Sequence, residues 1–388
     1  MDLEKIRADF PALERYTWFH NGGVAVLPRP VAEELDRLNR ELLERGPMHV
    51  VHLDEEMARR ERSVARLAKF FDVSPAEIAV VRGVSEAYHV ILSGLDWKPG
   101  DQVLLTVDEE AALFLPTLHL RERYGVEVVK VPLCEDPADQ VNELEKRLGP
   151  RSRLLAISHV TTDYGYRLPI QSMCDASRRN GTLSFVDVAH SAGVLPISLR
   201  EVGCDFAGAL SYKWMYAPYA AGLLYVRRDQ LDTLDVPFVG SRSEESIDWD
   251  RDQYRLSDSA RRFQYGPWAW PLVHAWAVAT DYLETLGLDA VWERTEKLAG
   301  RLKEGASRLP GCVLYTPRSA VSSAALVSFG LEGWRGEDLA ATLRSRWNMV
   351  IKALPHTREG LRASVPFFLL EKEIDALIAA LAELQLTR

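Results

Sequence analysis

Short apolar runs recur along the first two thirds of the chain, and helical stretches separate most of them. The runs lie at 78–82, 103–107, 126–131, 154–158, 183–187, 206–210 and 222–226. Helices are expected from Ser85, up to about Arg123, near 138–148 and near 169–179. Strands that are apolar on both faces, alternating with helices, predict a mainly parallel seven-stranded sheet covered on both sides, an α/β architecture. Ahead of it, residues 1–30 read as irregular, with a turn at Asn21-Gly22-Gly23 and prolines Pro28 and Pro30 opening a helical region to about residue 70.

The rhythm changes after about residue 240. A polar stretch, 241–253, precedes a long helical region at 268–309. Short strands follow near 312–315, 324–329 and 361–365, with a helix near 336–344. In the last segment Ile374, Leu377, Ile378, Leu381 and Leu384 fall at helical spacing. The expected organisation is an N-terminal segment (1–20) joining the small domain, a large domain (21–265), and a smaller C-terminal α+β domain (266–388). Two domains also suit a chain of 388 residues.

Composition narrows the function. The formal net charge of −9 and the lack of a dense Lys/Arg run argue against a nucleic-acid partner. No apolar run is long enough to span a membrane, and the charged start MDLEKIRADF lacks the apolar stretch of a signal peptide. Cys134, Cys174, Cys204 and Cys312 are scattered without a CxxC pair, as expected of thiols in a reducing, cytoplasmic setting. His49 and His52 near Glu55 and Glu56 read as a solvated surface without a third ligand, so no metal is expected. No GxGxxG follows a strand and there is no P-loop.

The chemistry concentrates in 183–226. Asp187 ends the run LSFVD, and ligands of such sheets bind beyond the carboxyl ends of strands. Lys213 follows the run FAGAL between Tyr212 and Trp214; desolvation there lowers its pKa, and a neutral amine attacks an aldehyde. An acid at one strand end and such a lysine at another suit pyridoxal 5'-phosphate (PLP), with the lysine forming the Schiff base and the acid keeping the pyridine nitrogen protonated. In RGVSEA (82–87) Ser85 is the expected N-cap of a helix whose free N–H groups could take an anion. Arg362 sits among small and apolar residues, where a charge is costly unless paired.

These segments resemble the class V aminotransferase family of fold type I PLP enzymes, which includes cysteine desulfurases, selenocysteine lyases and isopenicillin-N-epimerase-like proteins. Asp187, Ala189, His190 and Gly193, then Lys213, Trp214, Pro218 and Leu224-Tyr225-Val226, carry the resemblance. It implies that Lys213 is the Schiff-base lysine, Asp187 the pyridine-nitrogen partner and His190 a hydrogen-bond partner of the cofactor's phenolic oxygen. Gly83, Val84 and Ser85 would cradle the phosphate. His159, Thr162, Ser211 and Tyr212 would border the cofactor. Arg362 would bind the substrate α-carboxylate, with Asn21 nearby. Gly266, in a stretch resembling one that reaches the partner subunit's phosphate, implies a homodimer with the active site at the subunit interface.

The sequence departs from that pattern at three places. The stretch before Arg362, SRWNMVIKALPHTREGLR, holds no cysteine, so a persulfide-forming desulfurase would lack its nucleophile. Glu110 or Ala111 falls where an aromatic residue stacks on the cofactor ring, with Phe114 as a substitute. Pro267 follows Gly266 and donates no hydrogen bond. The expected function is therefore that of a PLP enzyme acting on an amino acid through an external aldimine, with Cα deprotonation by Lys213 and amino-group transfer. The alternatives are β-elimination (a C–S lyase) or epimerisation, then desulfurase or selenocysteine lyase chemistry, or a catalytically silent protein of the same fold. Trp18, Tyr164, Tyr265, Trp268 and Trp270 near the presumed mouth suggest an apolar or bulky substrate side chain.

Overall fold

A computed structural model describes residues 1–354 and 358–386. The seven apolar runs form one sheet, in the order Ile78–Val81, Gly222–Val226, Phe206–Leu210, Leu183–Asp187, Ser152–Ser158, Gln102–Thr106, Glu127–Val131. Only Gly222–Val226 runs against its neighbours; the other pairings are parallel. Both faces are covered, and the central strands Phe206–Leu210 and Gly222–Val226 are buried at every position. That explains why they read as continuous apolar runs rather than alternating ones.

A second, five-stranded sheet has the order Thr17–Phe19, Met349–Ala353, Leu361–Ser364, Leu326–Leu331, Cys312–Leu314. The strand Thr17–Phe19 pairs in parallel with Met349–Ala353, bringing the start of the chain to its C-terminal third. Neither of those strands is expected from the sequence. Thr17–Phe19 has three residues, too few for a periodicity. Met349–Ala353 follows the helix Gly336–Trp347 with one residue between, Asn348, whose left-handed backbone (φ 52°) turns the chain at once.

Three further expectations are corrected. The opening residues are ordered, with helix Leu3–Ala8 capped by Asp2. The helical region at 268–309 is two helices, Trp270–Leu286 and Leu288–Arg308, broken where Gly287 takes φ 79°. The polar stretch after residue 240 forms a hairpin, Glu244–Asp248 with Gln253–Leu256, whose exposed Trp249 and Tyr254 gave no alternating signal. Among the described residues no helix is long and apolar enough to cross a membrane.

Candidate active site

The large sheet delivers its side chains to one edge of a cavity of about 750 Å3. Lys213, three residues past Phe206–Leu210, and Asp187, the last residue of the adjacent strand, both line it. Asp187 is buried and accepts a hydrogen bond from the Ala189 N–H at 2.8 Å. Burial pushes its carboxyl up to about 6 against the pull of Lys213. Burial likewise lowers the Lys213 ammonium, while Glu110 and Asp187 oppose the shift.

His190 is held between these groups. Its Nδ1 accepts from the Trp214 indole N–H at 3.4 Å, so its other nitrogen carries the proton in the neutral ring. Nε2 lies 3.2 Å from Lys213 Nζ and 3.4 Å from Thr162 Oγ1. Burial and the Lys213 charge hold the imidazole well below its ordinary pKa, hence neutral. Gly193 permits the approach of Trp214: a Cβ there would meet the Trp214 carbonyl oxygen at 2.0 Å, and its φ is +89°.

The loop after Gln102–Thr106 carries three consecutive carboxylates with three roles. Asp108 accepts from the N–H groups of Asp163 and Tyr164 at 3.0 and 2.8 Å. Glu109 accepts from Thr106 Oγ1 and Ser158 Oγ, both at 2.6 Å. Glu110 caps the helix Ala111–Tyr124, accepts from Thr162 Oγ1 at 2.6 Å, and lies 3.9 Å from Lys213 Nζ. Hydrogen bonding to His190 and the Lys213 charge drive Glu110 well below the usual carboxylate range despite burial. At the position where a ring-stacking aromatic is expected there is thus a charged carboxylate. Phe114 does not substitute, because its ring packs under Lys130 Nζ at 4.3 Å.

Loss of solvent pushes Glu109 up to about 8, with Asp187 and Asp108 adding to the shift. Both Glu109 and Asp187 therefore titrate above their unfolded values of about 4. The folded apoprotein keeps protons that the unfolded chain has shed, so this stabilisation is complete below about pH 4 and is lost as pH rises through about 6 and then about 8. Glu109→Gln should flatten the upper part of that decline, read as the change in Tm between about pH 6 and pH 9. An unchanged slope would contradict the assignment.

Arg362 reaches the site from the second sheet. It is 1% exposed, and its Nη1 donates to the Thr162 carbonyl at 2.7 Å and Thr162 Oγ1 at 3.1 Å. Its Nε and Nη2 are buried with no partner among the described residues. Asn21 is fully buried, at the turn whose Gly22 and Gly23 line the cavity. A side chain at Gly22 would press on Arg362 Nη2, 3.2 Å from the added Cβ.

The helix Val84–Gly94 points its N-terminus into the cavity through Gly83, Val84 and Ser85. Ser85 is not the N-cap. Gly83 is, and Gly222 on the neighbouring strand packs closely against it: a Cβ at Gly222 would fall 2.5 Å from Gly83 Cα. The first-turn N–H groups consequently face the cavity without a side-chain cap.

Tyr212 lines the cavity, stacked on Tyr219 at 4.5 Å between centroids. The Ser211 hydroxyl is turned away and donates to the Pro218 carbonyl within its own loop. His159 also departs from expectation. Ser158 turns toward Glu109, so the next side chain faces the other way, into a separate hollow with Arg167 and Trp292. Gly266, Trp268 and Trp270 line a second cavity of about 850 Å3, not the one around Lys213, and Trp18 donates to the Val24 carbonyl at 3.0 Å. Of the aromatic mouth expected from the sequence only Tyr265 lines the cavity, where Tyr212 and Phe238 join it. Lys352, which no sequence motif singles out, lines the cavity instead.

The buried unpaired nitrogens of Arg362, the open helix N-terminus, the buried Asp187 carboxyl and the desolvated Lys213 together fit a phosphorylated, ring-bearing aldehyde and a carboxylate substrate.

The chain matches the family described as aminotransferase class-V over residues 17–377. A probable cysteine desulfurase of Pyrococcus abyssi is 25% identical over 395 residues, 98% of this chain and 97% of that protein. An isopenicillin N epimerase of Amycolatopsis lactamdurans is 29% identical over 388 residues, 94% of each chain. A cystine C–S lyase, solved with its product cysteine persulfide, superposes with a TM-score of 0.90 at 25% identity, covering 96% of this chain and 99% of its own. Another structure of that lyase holds glycine covalently linked to its PLP cofactor. The fold is also shared with the apo cysteine desulfurase of Thermococcus onnurineus NA1, with a TM-score of 0.90 at 24% identity, covering 99% and 98% of the two chains. With the matched region running from the first strand of the small sheet into the closing helix, across both sheets and the cavity between them, this chain belongs to the class V aminotransferase family of PLP-dependent enzymes.

Proposed function

We propose that the protein transfers the amino group of an α-amino acid, with Lys213 as the acid/base at Cα. The observation that carries this reading is the pairing of a buried lysine amine, between Asp187 and His190, with a buried arginine that has two unused nitrogens on the opposite side of Thr162. When bound, PLP supplies a carbonyl for covalent attachment of an amine and a ring that accepts the electron pair left at Cα.

The residues divide that work. Lys213 Nζ, its ammonium made less stable by burial, would hold the cofactor and would carry the proton to and from the substrate Cα. Asp187 holds the proton on the ring nitrogen. His190, neutral with its proton on Nε2, donates to the phenolic oxygen, and Trp214 fixes that tautomer. The N–H groups at Gly83, Val84 and Ser85 hold the phosphate, with Tyr212 and Thr162 beside the ring. Arg362 fixes the α-carboxylate through Nε and Nη2, with Asn21 behind it.

A second reading, epimerisation at Cα, is favoured by Glu110. It places a second proton-accepting group 3.9 Å from Lys213 Nζ, and one of the relatives is an epimerase. A persulfide carried on the enzyme has no nucleophile here, since none of the four cysteines lines the cavity. Incubation of the holoenzyme with a panel of amino acids in deuterated water separates these outcomes. Keto acid released with an amino form of the cofactor supports transfer. Deuterium at Cα with inversion and no keto acid moves the assignment to epimerisation, and pyruvate with ammonia moves it to elimination.

We also propose a homodimer. The second cavity, with Gly266, Pro267, Trp268 and Trp270, opens to the surface, and Leu42, Leu43, Val50 and Val51 are exposed. Light scattering at micromolar concentration should give twice the chain mass; a monomer that binds PLP and turns over would refute the shared site.

A further inference from the structure

Lys352 stands directly opposite Arg362 in the antiparallel pairing of Met349–Ala353 with Leu361–Ser364. Opposed residues share a face of the sheet, with their Cβ atoms about 5 Å apart. Two like charges so placed repel one another, and their burial adds to the cost, unless an anion lies against them. Arg362 is fully buried with Nε and Nη2 unpaired, and Lys352 is half-buried on the wall of the cavity that holds Lys213 and Asp187. Among the described residues neither has a carboxylate within ion-pair distance. Glu110, the acid whose field both feel most, is committed to the Thr162 hydroxyl and lies nearest Lys213 and His190. The remaining ionic pair at the cavity wall, Arg82 with Glu86, is self-contained at 2.9 Å.

The cavity therefore holds one cation more than a single α-carboxylate requires. We propose that Lys352 is a specificity-determining residue that receives the acidic end of the substrate side chain, so that the substrate is an α-amino acid with a second carboxylate. Arg362 takes the α-carboxylate and Lys352 the distal one, and the two ends of one small molecule bridge the opposed cations. This rests on the assignment of Arg362 under the proposed function.

The test compares glutarate with valerate, five-carbon acids that carry two carboxylates and one. Neither has an amine to react. Calorimetry on the holoenzyme should give glutarate at least about tenfold tighter binding, the gain expected of one charge-assisted contact. Lys352→Gln should remove that preference while leaving valerate affinity unchanged, and Lys352→Arg should retain it. Equal affinities in the wild type would overturn the proposal without any variant. So would a Lys352→Gln protein that weakens both ligands alike, because Lys352 would then share the α-carboxylate with Arg362. Failure of the underlying reading is distinct: Arg362→Met would then bind both acids as tightly as the wild type does, because Arg362 would hold no carboxylate.

Discussion

Lys213→Ala should abolish the visible absorption band of the PLP-loaded protein and lower turnover by about a thousandfold or more, the upper range for loss of a positioned acid/base combined with loss of covalent attachment. The band is the sharper readout, because it reports the bond to Nζ and not the rate of any later step. The surroundings explain why no other amine substitutes. Lys213 is 6% exposed and its Nζ is 3.2 Å from His190 Nε2. Lys352, also on the cavity wall, arises from the other sheet beside Arg362. Burial lowers the Lys213 ammonium, so its neutral form is more accessible than that of a solvent-exposed lysine. If Lys213→Ala retains the band, attachment is to another group and the assignment of Lys213 fails.

The second large effect is at Arg362. Arg362→Met should raise the KM for the amino acid by about 30-fold to several thousandfold, the cost of removing one partner of a buried charge pair. The cofactor band should stay in place, because Arg362 touches Thr162 and not Lys213. Stability should change little. Removing a buried charge whose Nε and Nη2 are unpaired is favourable, whereas the Thr162 carbonyl loses a donor at 2.7 Å, and these oppose at about 1–3 kcal/mol each. A purely structural arginine would behave in the opposite way, with Met lowering the Tm and sparing KM. The split between Tm and KM therefore decides its role.

Much of this site was legible in the chain. The strands of the large sheet announce themselves as apolar runs because most of them are covered on both faces, and strand ends in such a sheet are where ligands bind. Asp187 and Lys213 lie at two of those ends by sequence position alone, which local chemistry and the family resemblance both used. His190 and Arg362 were legible only through the resemblance, since nothing in their spacing says what they face. Where local reading failed, the neighbouring element was the missing information. Ser85 has the chemistry of an N-cap, yet the helix begins at Val84, with Gly83 as its cap against Gly222 of the neighbouring strand. His159 and Ser211 have suitable side chains, but strand alternation and a bond to Pro218 turn them away.

The sequence by itself determined the large sheet, the placement of the acid and the lysine at its strand ends, the absence of a cysteine before Arg362 and the net acidity of the chain. Tertiary structure alone decided the rest. It paired the three residues Thr17–Phe19 with a strand more than 300 residues away, and it set Lys352 opposite Arg362. It turned Glu110 from a missing aromatic into a carboxylate beside Lys213. The reason is that strand register and charge proximity are properties of pairs. Each partner's preference is local, but whether two like charges meet across a ladder, or a carboxylate comes within 3.9 Å of an amine, is fixed only when distant segments pack against one another.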